Sequence, residues 1–252
     1  NKDYIFSLAG QLSHLDSMKY PFNDLEVNCK SHLSLLETCK IYNPKVKIIF
    51  SSTRQVYGNF KYLPVDENHP LNPPDVNGIN KLAAEYYYKL YNNIYGVKSV
   101  IFRLTNTYGP GQLIKNNKQG FTGIYFREAL LNNVIKIKGD GQLIRDFNYV
   151  SDVVDAFFTA IINDECWGEV FNLGADNYYT IIDFLEILNK YCNLDYQLID
   201  NPSDQEKISL GDYYGSYKKF NDKTGWLPQT QLDKGIKLSI KYYKKFLSKY
   251  LD

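Results

Sequence analysis

The feature that most constrains this chain is a succession of short apolar runs separated by stretches of helical periodicity. Asp3 to Gly10 is an apolar run closed by glycine, the pattern of a buried strand. Phe22 to Ile41 places Leu25, Leu33, Leu36 and Cys39 at helical spacing. Val46 to Phe50 is a second apolar run, Ile79 to Tyr95 a second helical stretch ended by Gly96, and Val97 to Leu104 a third strand. Strand, helix, strand, helix, strand is the order of an α/β unit with a parallel sheet. Ligands of such sheets gather at the C-terminal ends of the strands. Here those ends are Leu8-Ala9-Gly10, Ser51-Ser52-Thr53 and Arg103-Leu104-Thr105-Asn106.

After Gly111 the texture changes. Helices are expected over Phe121–Leu131, Val150–Ile162, Ile181–Tyr191 and Leu232–Leu247, with strands over Val134–Lys138 and Glu169–Leu173. These read as a smaller mixed lobe interleaved with the first.

Composition narrows the function classes. Lys+Arg number 29 and Asp+Glu 28, so no bulk positive field holds nucleic acid by phosphate neutralisation. No apolar run reaches the length of a membrane span. The four Cys are scattered without a CxxC pair, which fits a reducing, cytoplasmic setting and no structural zinc. No metal-ligand spacing stands out. His14, His32 and His69 are dispersed and read as structural or solvated. Only four cations are arginine, at 54, 103, 127 and 145, and lysine cannot replace arginine at a bidentate anion site.

Several segments, in order, resemble the extended short-chain dehydrogenase/reductase family in its NAD-dependent nucleotide-sugar epimerase/dehydratase branch. They are Phe6-Ser-Leu-Ala-Gly10, Glu26-Val-Asn28, Ser51-Ser-Thr-Arg-Gln-Val-Tyr-Gly58, Lys81-Leu-Ala-Ala-Glu85, Arg103-Leu-Thr-Asn-Thr-Tyr-Gly-Pro110, Gly139-Asp-Gly-Gln-Leu-Ile-Arg-Asp-Phe147 and Gly225-Trp-Leu-Pro228. The resemblance implies an α/β fold: the C-terminal part of a Rossmann-like parallel sheet, plus a smaller mixed substrate lobe. Residues 1–110 would form a partial NAD-binding domain with 140–175 partly interleaved, and 111–252 mainly a nucleotide-sugar-binding lobe. The family's opening strand, Gly-rich turn and helix have no counterpart here, and the strand expected at Asp3 to Gly10 would match the fourth family strand. On the order of 60 residues or more would then precede this piece, at about 30 per βαβ unit.

The resemblance also implies roles. Thr53 matches the residue that hydrogen-bonds the substrate hydroxyl; its competing role is a strand-end cap. Lys81 matches the lysine that binds the nicotinamide ribose. Ala9, Gly10, Asn28, Ser51 and Leu104 fall on the cofactor side. Asn106, Arg145 and Asn172 fall on the substrate nucleotide and diphosphate. The ligands are NAD, with NADP not excluded, and a nucleotide-diphosphate sugar. The helices near 22–41 and 79–95 would form a homodimer interface.

Two positions depart from the family. Asn77 stands where the family carries its catalytic tyrosine, four residues before the lysine. A phenol beside an ammonium can accept a hydroxyl proton; an amide cannot, although it can hydrogen-bond the hydroxyl. Three accounts stay open: another base such as Asp75, Tyr86 or a relayed water; binding without catalysis; or an engineered trap. Arg54 and Gln55 stand where 4,6-dehydratases carry an Asp-Glu pair, which turns the expectation toward epimerisation through a transient ketone. The alternatives are a silent nucleotide-sugar or NAD-binding paralogue and a 4,6-dehydratase-type activity. The stretch Lys118-Gln-Gly-Phe-Thr-Gly123 resembles a segment of 2-epimerases of the tyvelose type, leaving carbons 2 and 4 both open.

Overall fold

The computed structural model describes residues 2–115, 120–200 and 211–251. Its centre is a four-stranded, fully parallel sheet in the order β1 (Tyr4–Ser7), β2 (Lys47–Thr53), β3 (Ser99–Leu104) and β7 (Val170–Leu173). Alternation along the strands explains why both faces are covered. Ile48, Phe50 and Ile101 point to one side, where they meet Leu36, Ala84 and Tyr88 from α3 (Ser31–Tyr42) and α4 (Val76–Tyr95). Ile49, Val100, Phe102 and Phe171 point to the other, against Phe157 of α6 (Val150–Ile161) and Phe220 of α8 (Lys218–Thr224). Successive strand residues face opposite ways, so a sheet buried on both faces reads as an unbroken apolar run. β1 differs from its expected burial: it is an edge of this sheet, and Tyr4 and Phe6 are exposed.

The stretch expected as one helix from Phe22 to Ile41 is broken. It divides into α2 (Pro21–Leu25), a π turn (Glu26–Lys30) and α3, and a short α1 (His14–Lys19) precedes it. Pro21 opens α2 because proline suits the first helical turn. The π turn carries Asn28, fully buried, whose side chain is drawn onto Gln11 and Asp24.

The remaining strands are short. β4 (Asn106–Tyr108) and β6 (Ile144–Tyr149) pair in parallel, and β8 (Tyr178–Thr180) pairs antiparallel to β6. β5 (Ile135–Lys138) pairs in parallel with β9 (Tyr196–Ile199). Around them α5 (Phe121–Leu130), α7 (Ile181–Asn189) and α9 (Leu232–Phe246) bury Phe126, Phe147, Phe184, Leu188, Ile236 and Tyr243 in one cluster. α8 and Trp226 instead join the core of the parallel sheet.

An ion pair sits inside the fold where α4 crosses the strand ends. Arg103 on β3 donates to Glu85 on α4 through Nη2 at 2.6 Å and Nε at 3.0 Å, with both side chains almost fully buried. Ser52 donates to the same carboxylate at 2.5 Å, and Arg103 Nη1 donates to the Tyr57 hydroxyl at 2.9 Å. Removing one partner leaves an uncompensated buried charge. Arg103→Met or Glu85→Met should each cost about 3–5 kcal/mol in urea unfolding. The double variant should lose less than either single change; a double loss equal to the sum of the two would contradict this reading.

Candidate active site

A cleft of about 650 Å³ opens at the C-terminal ends of β2 and β3. Ser51, Thr53, Asn77, Lys81, Leu104 and Asn106 line it, together with Gly120, Phe121 and Thr122. Six of the sequence-derived site residues therefore meet in one place. In the segment from Lys118 to Gly123, Lys118 and Gln119 lie outside the described residues.

α4 supplies one wall. Asp75 caps it, accepting from the Gly78 amide at 2.7 Å. A Cβ on Gly78 would lie 2.8 Å from Pro73 Cβ and 3.1 Å from the Gln55 carbonyl. Only glycine lets the head of α4 sit this close to the turn after β2. Asn77, Lys81 and Glu85 then follow at four-residue spacing on one face. Lys81 Nζ donates to the Ser51 carbonyl at 3.2 Å and lies 5.0 Å from the Phe50 ring centroid. Burial pulls its pKa down to about 8, partly opposed by Asp24 and Glu85. A Cβ on Gly10 would come within 3.0 Å of both Lys81 Nζ and Asn28 Oδ1. The backbone at Gly10 therefore closes on the lysine. A buried ammonium with one protein acceptor suits a ribose hydroxyl, so these residues fit the nicotinamide half of a dinucleotide.

Asn77 is held from behind. Its Nδ2 donates to the Gln11 carbonyl at 2.8 Å and to Asp24 Oδ2 at 3.2 Å. Asn28 and Asn80 donate to the same Asp24 carboxylate at 3.0 and 2.8 Å. Three amides thus converge on one fully buried acid that the sequence reading did not single out. Its only sequence signal was an acidic residue inside a helical stretch.

Other expected residues sit outside the cleft lining. Asn172 is fully buried, accepting from Tyr57 at 2.6 Å and donating to the Val65 carbonyl at 3.0 Å. Arg145 donates to the Ile144 and Gly211 carbonyls at 2.7 and 2.5 Å, rather than pairing with Asp146 or Asp152. Burial and then the nearby Arg54 lower its pKa to about 9. Ala9, Gly10 and Asn28 lie beside the cleft without lining it. Tyr86 is exposed on the far side of α4 and does not reach the cleft, which removes it as a base. Asp75 is fully buried and engaged by Gly78, Gln55 and His14, so it does not open to substrate directly. Burial would raise its pKa, but these partners hold it below the usual carboxylate range.

His32 and His69 are structural, as read. His69 accepts from the Lys61 amide at 2.8 Å, and His32 lies between Ser7 and Tyr88. His14 is partly exposed and lines the cleft. Among the described residues, no three His, Cys, Asp or Glu side chains come together as a metal site.

The profile of the NAD dependent epimerase/dehydratase family matches residues 1–174. The chain belongs to this family. It is thereby an extended short-chain dehydrogenase/reductase, and NAD is the cofactor of its family. Members with solved structures share the fold. A UDP-glucose 4-epimerase from Thermotoga maritima, solved with UDP-glucose, is 33% identical with a TM-score of 0.89, over 97% of this chain and 78% of that one. A UDP-N-acetylglucosamine 4-epimerase from Methanobrevibacter ruminantium, in complex with UDP-N-acetylmuramic acid, is 25% identical with a TM-score of 0.89, over 97% and 77%. The CDP-paratose 2-epimerase of Salmonella typhi is 30% identical over 261 residues, 93% of this chain and 75% of that protein.

Lys81 carries a measurable signature. Its folded pKa of about 8 lies below the unfolded 10.5. Between those values the unfolded chain holds more protons, so this group makes stability rise with pH across that window. Removing the charge therefore helps most below pH 8. Lys81→Met should unfold ~1–3 kcal/mol later than wild type at pH 7. That gap should close as pH climbs toward 10.5, read by urea melts at each pH. A gap independent of pH would contradict it.

Proposed function

We propose that this chain is an NAD-dependent epimerase of a nucleotide-diphosphate sugar, acting through a transient keto sugar. The observation that carries the reading is the meeting of Thr53, Lys81 and Asn106 in one cleft at the strand ends. The sugar 4- and 2-epimerases among its relatives support it.

In this reading Thr53 hydrogen-bonds the sugar hydroxyl that becomes the ketone. Its Oγ1 already accepts from the Gln55 amide at 3.2 Å, which leaves the hydroxyl hydrogen free to aim at the cleft. Lys81 holds the nicotinamide ribose, and its charge favours the alkoxide that develops beside it. Ser51 and Leu104 line the cofactor side with Ala9, Gly10 and Asn28 beside it, and Asn106 lines the nucleotide side, whereas Arg145 and Asn172, held by their own hydrogen bonds, do not. NAD, when bound, supplies the hydride acceptor and donor, so no net redox occurs. The proton of the hydroxyl must go to a base, and the Asn77 amide cannot be that base.

Two observations bear on the alternatives. The Arg54 guanidinium lies 5.0 Å from the Tyr213 ring, and Gln55 Nε2 holds Asp75 at 2.7 Å. Neither presents an acid to the cleft, which disfavours loss of water as in a 4,6-dehydratase. Asn77 is what favours a silent binding paralogue. The proposed compartment is the cytoplasm, supported by four free cysteines. The proposed homodimer is supported by the exposed Phe22, Ile41, Ile79, Tyr86, Leu90 and Ile94; a monomeric sedimentation mass would remove it.

Denaturing the purified full natural protein and weighing what it releases tests the function. NAD together with a nucleotide-diphosphate sugar is the expected outcome. A nucleotide sugar without dinucleotide would favour the silent paralogue. Asn77→Tyr then separates the two: in an active parent the phenol displaces the amide from Asp24, and turnover falls about tenfold or more. In a silent parent turnover appears.

A further inference from the structure

His14 occupies the first position of α1, after the Ser13 cap. Its side chain is 37% exposed, and it lines the cleft with Thr53, Asn77 and Lys81. Nδ1 is buried, 2.9 Å from Asp75 Oδ2, so the exposed edge of the ring is the one that carries Nε2. The N–H direction is off the line to the oxygen, which makes this a close electrostatic contact rather than a straight hydrogen bond.

The surroundings decide which nitrogen is basic. A carboxylate is acceptor-only. Asp75 is fixed by the Gly78 amide on Oδ1 and by Gln55 Nε2 on Oδ2. A proton on Nδ1 faces the carboxylate, as its negative charge favours, and leaves the Nε2 lone pair facing the cleft. The backbone of this residue is anchored as well. Ser17 Oγ donates to the His14 carbonyl at 2.7 Å and accepts from the Asn77 amide at 3.3 Å. The histidine is thus tied to the position where the family tyrosine is missing. Gln55 ties it to Thr53 as well, since its amide meets Thr53 Oγ1 and its side chain meets Asp75.

We propose that His14, oriented by Asp75, is the catalytic base that takes the sugar hydroxyl proton in place of the absent phenol. The proposal rests on the epimerase reading above. The O–H bond breaks and its proton moves to Nε2. The carbinol C–H pair leaves as hydride to the nicotinamide ring, and the C=O bond forms. The sugar is oxidised and the nicotinamide reduced. On return the imidazolium gives the proton back to the carbonyl oxygen as hydride re-adds, so charge and electrons balance. Asp75 is a positioning residue.

Two readouts test this in the full natural protein. Long-range proton–nitrogen spectra of the ligand-free protein should show the His14 proton on Nδ1, assigned by its loss in His14→Gln. Asp75→Asn keeps the helix cap, because Asn caps as well as Asp, but should mix the two tautomers. With NAD added and UDP-, CDP- and dTDP-hexoses as probes, His14→Gln should lower kcat about 10²- to 10⁴-fold with KM nearly unchanged. A wild-type proton on Nε2, or full turnover by His14→Gln, overturns the assignment and leaves the epimerase reading standing. If the wild type turns over none of the probes, the epimerase reading fails and the base assignment falls with it.

Discussion

The buried pair of Arg103 and Glu85 is the constraint on which the site depends. It joins β3 to α4 where both approach the cleft, and Ser52 and Tyr57 fill the remaining valences of the pair. Two charges this deep persist only when each is paired and hydrogen-bonded. Rotating or sliding α4 would strand both. One turn before Glu85 on the same helix face stands Lys81, and one turn before that Asn77. The pair therefore sets the depth at which the lysine ammonium meets the cleft.

A second polar centre fixes the other end of the helix. Asp24 collects the amides of Asn28, Asn77 and Asn80, which join α2, the π turn and α4. Asn at position 77 suits this arrangement: its amide donates to a buried acid and to the Gln11 carbonyl, where a phenol could offer only one proton. Asn77, at the position where the resemblance expects a tyrosine, is therefore built into the scaffold. The same segment brings His14 and Asp75 together at 2.9 Å.

Much of this was legible in the residues. The strand–helix alternation of a parallel sheet is readable because burial on both faces makes β2 and β3 continuous apolar runs. Thr53, Lys81 and Asn106 were readable because family motifs surround them, and all three line the cleft. What was not legible depends on contacts between distant segments. The break in the helical stretch before Ile41 follows from Asn28 reaching Gln11 and Asp24, which no periodicity reveals. β6 was missed because Arg145, Asp146 and Asn148 are buried polar residues, and their hydropathy reads as loop. Arg145 was expected at a diphosphate from its place in a family motif and the scarcity of arginine, but its guanidinium is held by main-chain carbonyls. His14 looked idle because a lone histidine carries no signal until its carboxylate partner, far along the chain, is placed beside it.

The central claim is that the sugar is oxidised and reduced again within one cleft. The most direct measurement uses the nucleotide sugar that co-purifies with the full natural protein, carrying deuterium on the carbinol carbon to be oxidised. Turned over in ordinary water, it should yield the epimer with the deuterium retained at that carbon, because the hydride is parked on the cofactor and returned. Loss of the label to solvent, or a dehydrated product, would contradict the account.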